Sequence, residues 1–405
     1  MIHQGDLCSV LPTLEADLVD ACITDPPYEL GFMGKAWDGT GIAYRPAMWA
    51  AVLRVLKPGA YLVAFGGTRT SHRMVCAIED AGFEIRDTLC WLYGSGFPKS
   101  LDVSKAIDKA AGVSREVLGV NRYAVKRTGH DKEGVLSSRG PGLGGLASAE
   151  MTAPSTDAAK QWDGWGTALK PAYEPIVLAR KPFKGSVADN VLQHGTGGLN
   201  IDGCRIAGDV PVTTQGASSR IYGGGRGFAP TGRQPNNPNN FGRWPANVVL
   251  DDEAAAMLDE QSGERASGGT PKVRTADKFR NTYGAFKGAA VEDGIGGSIG
   301  GASRFFYTAK PSREERELGI YDGRNGHPTV KPLALMRWLV RLVTPPDGIV
   351  LDPFLGSGTT AMACRAEGRR FIGIEREAEY VEIAKRRINS IAPLFGDSTE
   401  GEAIR

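Results

Sequence analysis

The sequence predicts an α/β fold built on a doubly wound, mostly parallel β-sheet. Short apolar runs alternate with amphipathic stretches near both ends of the 405-residue chain, a pattern typical of a parallel sheet covered by helices on both faces. Several of these runs have the length of a buried strand and are followed by an acidic residue or by glycine. The middle of the chain is rich in glycine, proline and serine, which predicts a large irregular insert.

Residues 1–110 are predicted to form the N-terminal part of the sheet domain. One of its helices is delimited by Pro46 in the first turn and by Pro58-Gly59 as a stop. The predicted strands of this part are residues 1–6, 18–24, 60–65 and 85–93. The predicted helices are residues 7–14, 46–57, 72–81 and 101–111.

Residues 304–392 are predicted to form the C-terminal part of the same domain, followed by a tail at 393–405. Apolar runs and helical periodicity alternate here as they do near the N-terminus. The predicted strands are residues 304–307, 348–352 and 371–374. The predicted helices are residues 333–343, 359–365 and 378–391.

Residues 111–303 separate these two parts, and we expect an irregular insert with a strand near 174–181. Within 183–303, an ordered piece is predicted only for the strand 247–250 and the helix 252–260. Between residues 265 and 287, six basic residues stand against Asp277 alone, and three aromatic residues are interleaved with them. Such a run is typical either of a solvated charged face or of a surface that binds nucleic acid.

The composition excludes several classes of protein. The net charge is +2 and the isoelectric point is about 8.1, so any signal for nucleic-acid binding must be local. The six cysteines form no Cys-x-x-Cys pair, which predicts reduced thiols and neither a zinc site nor a disulfide framework. Since no apolar run approaches the length of a membrane span and no signal-peptide pattern is present, we expect a cytoplasmic protein.

The first motif is Asp25-Pro26-Pro27-Tyr28, directly after the apolar run 18–24. The two prolines fix φ and lack amide protons, so the loop is stiff. Asp25 can accept a hydrogen bond from an amino group, and the ring of Tyr28 offers a face on which a planar base can stack. The motif therefore predicts either a turn that ends a strand or a site for a base that carries an amino group.

The second motif is Gly356-Ser357-Gly358, with Glu375 at the end of the next strand, 17 residues after Gly358. This arrangement is typical of nucleoside binding, in which the carboxylate accepts hydrogen bonds from ribose hydroxyls. A dinucleotide is disfavoured because Thr360 replaces a third glycine and Asp352-Pro353-Phe354 brings an anion and bulk where a pyrophosphate would lie. We therefore expect S-adenosylmethionine, a cationic nucleoside that bears a free amino acid.

These two motifs, together with a third at residues 327–332, resemble those of the amino-methyltransferases that act on DNA. The target-base motif precedes the cofactor motif, as in the β order of that family, and some stretches resemble phage and prophage adenine methylases. The resemblance implies a Rossmann-like methyltransferase fold with circularly permuted motif order, S-adenosylmethionine as cofactor and double-stranded DNA as substrate. The residues that carry it are 24–28, 327–332, 351–360 and 373–375, with 94–99 and 242–247 for the phage-type stretches.

The resemblance also implies roles for individual residues. The catalytic set, which handles the target base, is Asp25, Pro26, Pro27 and Tyr28. The cofactor-binding set is Asp6, Asp25, Thr329, Lys331, Asp352, Pro353, Phe354, Gly356, Ser357, Gly358, Thr359 and Glu375. From the basic run we expect DNA contacts by Arg274, Lys278 and Arg280. Two structural alternatives stay open: Asp6 could be a helix N-cap, and Lys331 could be a surface lysine.

The predicted reaction is transfer of a methyl group to N6 of adenine in duplex DNA, with the base flipped out of the helix. The family tends to carry Ser in place of Asp before Pro-Pro-Tyr for cytosine, so Asp25 favours adenine. The alternatives are methylation at N4 of cytosine and a catalytically inactive DNA-binding relative, while a nicotinamide dehydrogenase and an RNA or protein methyltransferase are disfavoured. The sequence leaves open a homodimer, a partnering restriction endonuclease and the recognised DNA sequence.

Overall fold

Nine strands of the described chain form one mostly parallel sheet in the computed structural model. The structure describes residues 1–30, 39–96, 100–120, 150–206, 242–266, 299–309, 318 and 330–391. In chain order the strands are β1 Ile2–Gln4, β2 Val19–Thr24, β3 Leu56–Phe65, β4 Glu84–Leu92, β5 Val117–Val120, β6 Glu150–Thr152, β7 Tyr173–Arg180, β8 Val248–Asp251, β9 Arg265–Ala266, β10 Ile299–Gly300, β11 Tyr307–Ala309, β12 Ile349–Asp352 and β13 Arg370–Glu375. The large sheet has the order β1-β13-β12-β2-β3-β7-β4-β8-β11.

Ten α-helices of the described chain accompany the strands. They are α1 Leu7–Val10, α2 Pro46–Val55, α3 Ser71–Asp80, α4 Val103–Ala110, α5 Asp157–Gln161, α6 Val187–His194, α7 Asp252–Ser262, α8 Leu333–Val343, α9 Thr359–Ala366 and α10 Ala378–Asn389. Short 3-10 helices lie at Leu11–Thr13, Ile42–Tyr44, Asp202–Cys204 and Ala302–Phe305.

Both faces of the sheet are covered, because successive side chains of a strand point to opposite sides. On β2, Ala21 and Ile23 belong to an apolar cluster with residues of α8, α9 and α10. Val19 and Cys22 belong to a second cluster with residues of α2 and α3. The predicted fold class, a doubly wound and mostly parallel α/β sheet, is confirmed.

Strands from the two ends of the chain are neighbours in this sheet. Parallel strand β12 pairs with β2, with Val350 opposite Ala21 and Leu351 opposite Cys22. The parallel pairs β1–β13, β13–β12, β12–β2 and β2–β3 point the same way, so their carboxyl ends share one edge. The loop that begins at Asp25 and the loop that follows Asp352 therefore lie side by side at this edge.

Among the predicted boundaries that are wrong, two have a clear physical reason. The helix predicted for 46–57 ends at Val55, and Pro58-Gly59 lies inside β3. The ladder between β2 and β3 is irregular there, with Val19 opposite Leu56 but Ala21 opposite Tyr61, and such a bulge tolerates a residue without an amide proton. The strand predicted for 304–307 begins only at Tyr307, because the residues before it form a 3-10 helix.

The described chain divides into two compact units. The larger comprises Met1–Tyr28, Gly41–Gly94 and Glu174–Arg405, and the smaller comprises Glu29–Thr40 and Ser95–Tyr173. These limits differ from the predicted division into residues 1–110, 111–303 and 304–392, since β7 and β8 of the predicted insert are strands of the large sheet. The predicted strand near 174–181 corresponds to β7.

The smaller unit contains its own antiparallel strand pair, β5 with β6, and the helices α4 and α5. Its buried centre is the carboxylate of Asp108, which accepts hydrogen bonds from the backbone N–H groups of Ser155 and Thr156, each at 3.0 Å. Arg115 pairs with the same carboxylate at 3.2 Å. A buried charge that is paired and hydrogen-bonded in this way fixes the packing of α4 on the segment before α5.

All six cysteines are free thiols in the structure. Among the described residues, no helix is long and apolar enough to cross a membrane.

Candidate active site

Asp25 begins the loop after β2, and its two carboxylate oxygens have different surroundings. Oδ2 accepts a hydrogen bond from Nζ of Lys331 at 2.7 Å. Oδ1 is buried, and no residue of the described chain donates a hydrogen bond to it. Because a carboxylate has about four acceptor positions, Asp25 keeps the capacity to accept hydrogen bonds from a further amino group.

Tyr28 closes this loop and is held at both ends. Its backbone carbonyl accepts a hydrogen bond from Oγ1 of Thr70 at 2.8 Å. Its phenol donates to Oε2 of Glu174 at 3.0 Å and accepts from Nζ of Lys331 at 3.0 Å. Gly67 packs against the ring so closely that a Cβ at that position would lie 3.2 Å from Cδ2 of Tyr28. The ring therefore has a defined orientation.

Lys331 lies at the centre of this arrangement and is buried, with only 8% of its surface exposed. Its ammonium pairs with Asp25 and, at 3.3 Å, with Oε2 of Glu174. Burial alone would lower the pKa of Lys331, but the two carboxylates outweigh burial and raise that pKa above its ordinary value. Lys331 therefore stays charged and is not a surface lysine.

The phenols nearby stay protonated. Burial, followed by the charges of Asp25 and Glu174, raises the pKa of Tyr28 well above its ordinary value. Burial and the charge of Glu174 also raise the pKa of Tyr93, to about 12. Tyr28 thus keeps its proton and can donate a hydrogen bond to Glu174 across the whole physiological pH range.

The glycine loop after β12 is held by backbone hydrogen bonds and by a buried arginine. Gly356 has φ +53° and Gly358 has φ +82°, a conformation that favours glycine. The N–H of Gly356 donates to Oε2 of Glu375 at 2.8 Å. Arg387, which is 1% exposed, donates to the carbonyl and hydroxyl of Ser357 and to Oγ1 of Thr359.

Two carboxylates stand at the ends of the adjacent strands β12 and β13. Asp352 accepts hydrogen bonds from Oγ1 of Thr24 at 2.7 Å and from the N–H of Phe354 at 3.1 Å. Burial raises the pKa of Asp352 to about 6. Glu375 accepts from the N–H groups of Gly356 and Glu377, and burial raises its pKa as well. Both groups are desolvated anions that a nearby cation would stabilise.

Asp6 is the N-cap of α1, because its side chain accepts a hydrogen bond from the N–H of Cys8. It also follows β1, which pairs with β13 in parallel, so it lies at the same edge as Glu375. Pro353 is buried and Phe354 packs against the cluster of α2 and α3. Outside the described residues lie Thr329, Arg274, Lys278 and Arg280.

Sequence reasoning missed two residues, Glu174 and Arg387. Glu174 is the second residue of β7, which is antiparallel to β3, so the amino end of β7 lies where the parallel strands have their carboxyl ends. An acidic residue directly before an apolar run was the available signal, but the strand direction was needed to interpret it. Arg387 stands in the periodic pattern of α10 and carried no signal that distinguishes it from an exposed arginine.

The edge of the sheet suits S-adenosylmethionine. Five carboxylates and one ammonium lie at this edge, which leaves an excess of negative charge for a cationic ligand. The carboxylates belong to Asp6, Asp25, Glu174, Asp352 and Glu375, and the ammonium to Lys331. A Cβ at Gly358 would lie 2.9 Å from Cβ of Ala384, so the loop passes α10 more closely than any other residue would allow. No group of His, Cys, Asp and Glu within the described ranges could hold a metal ion.

Comparison with known families identifies the class of protein. The N6/N4 DNA methylase family matches residues 19–386, which is most of the chain, and the protein belongs to this family. S-adenosylmethionine is the cofactor of the family, as the glycine motif and the acidic edge predict.

Curated relatives match over shorter stretches. The chain is 42% identical over 72 residues to the type II methyltransferase M.HinfI of Haemophilus influenzae, which covers 18% of this chain and 20% of that protein. It is 47% identical over 79 residues to the type II methyltransferase M2.MboI of Moraxella bovis, which covers 19% and 29%. The chain thus spans less than a third of either relative.

Among solved structures, the complex of M1.HpyAVI with SAM is 17% identical, with 96% of this chain and 98% of that chain covered and a TM-score of 0.39. The PvuII DNA methyltransferase, described as cytosine-N4-specific, is 12% identical, with 98% and 87% covered and a TM-score of 0.44.

Proposed function

We propose that this protein is a site-specific DNA methyltransferase that transfers a methyl group from S-adenosylmethionine to N6 of adenine in duplex DNA. The observation that carries the proposal is the placement of Asp25 and Tyr28 next to the loop of Asp352, Gly356 and Gly358, on adjacent strands of one sheet edge. In these roles Asp25 would hold the target base directly beside the cofactor, as the reaction requires.

The difficulty of the reaction lies in the nucleophile. An exocyclic amino group is a weak nucleophile because its lone pair is delocalised into the ring. Asp25 would accept hydrogen bonds from the amino hydrogens and the carbonyl of Pro26 would assist, so that the lone pair becomes available to the methyl carbon. This interaction strengthens as positive charge develops on nitrogen, and it therefore favours the transition state.

Lys331 and Tyr28 would prepare this step. The ammonium of Lys331 holds Oδ2 of Asp25 at 2.7 Å, which leaves the buried Oδ1 to accept from the amino group. The ring of Tyr28 would stack on the flipped base. Bound S-adenosylmethionine would supply a methyl group already activated on a sulfonium, so that positioning does much of the remaining work.

Cofactor contacts would come from the neighbouring strands. Glu375 would take the ribose hydroxyls, and Asp6 the amino group of the cofactor's adenine. Asp352, Lys331 and the glycine loop would surround the methionine part. Ser357 and Thr359 direct their hydroxyls to Arg387, so we infer that they shape the loop from beneath.

Methylation of cytosine at N4 is the second candidate, since the same acceptor and stacking ring serve both amino groups. Asp rather than Ser before Pro-Pro-Tyr favours adenine.

DNA is proposed to be bound by residues 183–303, with phosphate contacts from Arg274, Lys278 and Arg280.

The test is to methylate plasmid DNA with the purified protein and to map the modified bases by single-molecule sequencing. Hydrolysis followed by mass spectrometry identifies the product. We expect N6-methyladenine within one sequence context, and none when S-adenosylmethionine is omitted. If the product is N4-methylcytosine, the second candidate function replaces the first. If DNA of every sequence tried stays unmodified, the proposed function is contradicted.

A further inference from the structure

Glu174 is a charged residue of the site that the mechanism above does not use. It is the second residue of the antiparallel strand β7, where Ile176 pairs with Phe65 and the carbonyl of Pro175 accepts a hydrogen bond from the N–H of Gly66. Its side chain is 21% exposed, and the same oxygen, Oε2, contacts the phenol of Tyr28 and the ammonium of Lys331.

The charges around Lys331 make Glu174 conspicuous. Asp25 alone neutralises the lysine at 2.7 Å, and the ammonium also lies 4.9 Å from the ring centre of Phe65 and 5.2 Å from that of Tyr28. A second partly buried carboxylate costs desolvation and repels the first one. Charge balance therefore does not explain why Glu174 is present, whereas its contacts with Lys331 and Tyr28 do.

Strand β7 does not depend on Glu174 for its place in the sheet. Five residue pairs join it to β3. At its far end, Arg180 pairs with Glu84 at 2.6 Å. In the described part of the chain, the hydrogen bonds and ion pairs of the Glu174 carboxylate go to the two residues that surround Asp25.

We propose that Glu174 is a positioning residue for methyl transfer, which holds Lys331 against Oδ2 of Asp25 and fixes the ring of Tyr28 through its phenol. The inference rests on the proposed function. Glu174 touches neither base nor cofactor in this account and acts only through Lys331 and Tyr28. Its loss leaves Lys331 free to pair with Asp25 in other geometries, so that the acceptor and the stacking ring lose their fixed relation.

The experiment compares Glu174→Gln with Glu84→Gln, which removes an ion pair of the same strand at its other end. We expect Glu174→Gln to lower the single-turnover rate of methyl transfer from labelled cofactor to DNA by about tenfold or more, with the affinity for S-adenosylhomocysteine unchanged. Glu84→Gln should leave the rate unchanged. Glu174→Asp, which restores the charge, should recover part of the rate.

A double-mutant cycle and a spectrum complete the test. In a Lys331→Met background, Glu174→Gln should have a much smaller effect on the rate, because Glu174 acts largely through that lysine. In protein labelled with ¹³C-tyrosine, the Cζ resonance of Tyr28, assigned with Tyr28→Phe, should move in Glu174→Gln and stay in Glu84→Gln.

The outcomes separate the two proposals. If the wild-type protein methylates no DNA, the proposed function fails, and the Tyr28 resonance alone decides whether Glu174 fixes that ring. A wild-type rate in Glu174→Gln, or a loss that adds fully to that of Lys331→Met, would overturn the positioning role. An unmoved Tyr28 resonance would overturn it as well.

Discussion

The two loops that face each other at the sheet edge are held in different ways. The glycine loop after β12 depends on partners nearby in the sequence, since Glu375 is 19 residues and Arg387 30 residues away from the groups they contact. The loop from Asp25 to Tyr28 depends on distant side chains, because Glu174 is 146 residues from Tyr28 and Lys331 is 306 residues from Asp25.

This difference has a mechanical consequence. Backbone geometry and tight packing shape the glycine loop, so a substitution there acts by steric displacement and changes cofactor affinity. Charged and hydrogen-bonded side chains hold the loop from Asp25 to Tyr28. A substitution there therefore changes the surroundings of every other side chain in that group. We expect the second kind of change to appear in the rate and its coupling to neighbours more than in the affinity for the cofactor.

The largest loss of affinity is expected for Gly358→Ala. A Cβ would lie 2.9 Å from Cβ of Ala384 at a φ of +82°, so the loop or α10 must shift. If the displaced loop loses about 1–3 kcal/mol of binding free energy, S-adenosylhomocysteine should bind about 5- to 150-fold more weakly in calorimetry. Gly195→Ala is the matched control, because its φ is +74° with open space around the new methyl group. Equal affinities in both variants and the wild type would contradict the steric account.

Asp352→Asn should affect stability and binding in opposite directions. Burial raises the pKa of Asp352 from 3.8 to about 6, so the folded protein binds this proton more tightly than the unfolded chain does. The resulting loss of stability in the cofactor-free protein grows between about pH 4 and pH 6 and reaches about 3 kcal/mol above that range.

The variant removes this penalty. In urea unfolding, the gain in stability of Asp352→Asn over the wild type should be larger at pH 8 than at pH 4.5. The affinity of the variant for the cationic cofactor should fall by about tenfold or more. A stability difference that is the same at both pH values would rule out a desolvated carboxylate at this position.

A smaller effect is expected for Tyr28→Phe, which tests the loop held by charges. The ring face survives, but the hydrogen bonds to Glu174 and Lys331 are lost, which is worth about 1 kcal/mol or a fivefold decrease in rate. Tyr28→Ala should also lose stacking on the base, about 1–3 kcal/mol. Tyr61→Phe is the control, since among the residues that the structure describes the phenol of Tyr61 donates to the carbonyl of Gly197, away from Asp25 and Lys331. A Tyr28→Phe variant with full activity would mean that the phenol does not hold the ring.

Neither loop supplies the positive charge that DNA phosphates require, and we assign that charge to the basic run at residues 265–287. Substitutions in this run should have the smallest effect on catalysis, because they act on DNA binding. Joint neutralisation of Arg274, Lys278 and Arg280 should reduce the slope of log affinity against log salt by about 1–3, since fewer counterions are released. The affinity for S-adenosylhomocysteine should not change. An unaltered salt slope would assign the run to a solvated face.

The contrast between the loops also explains what the sequence could predict. The fold class and the glycine loop follow from local patterns, namely strand-sized apolar runs and a glycine turn with an acid on the next strand. The adjacency of Asp25 and Gly356 required only that parallel strands share an edge. Helix α8 was predicted with both ends correct, because its apolar periodicity and the preceding Pro332 are local signals.

Long-range features could not be predicted in this way. Glu174 enters the site because β7 runs against β3, and strand direction is a property of the whole sheet. Pro58-Gly59 looked like a helix stop, but the bulge in β3 accommodates them in the strand. Lys331 was expected to line the cofactor, and its burial between two carboxylates depends on residues from three separate parts of the chain.

The most direct test of the central claim is the single-turnover rate of Asp25→Ala. The variant should fold, because Lys331 keeps Glu174 as a partner. We predict a rate at least a hundredfold lower, by analogy with the loss of about 3 kcal/mol when one transition-state hydrogen bond is removed, with S-adenosylhomocysteine and DNA bound nearly as in the wild type. Asp17→Asn, a carboxylate before β2 that pairs with Lys181, should keep the wild-type rate. Near-normal turnover by Asp25→Ala would contradict the account.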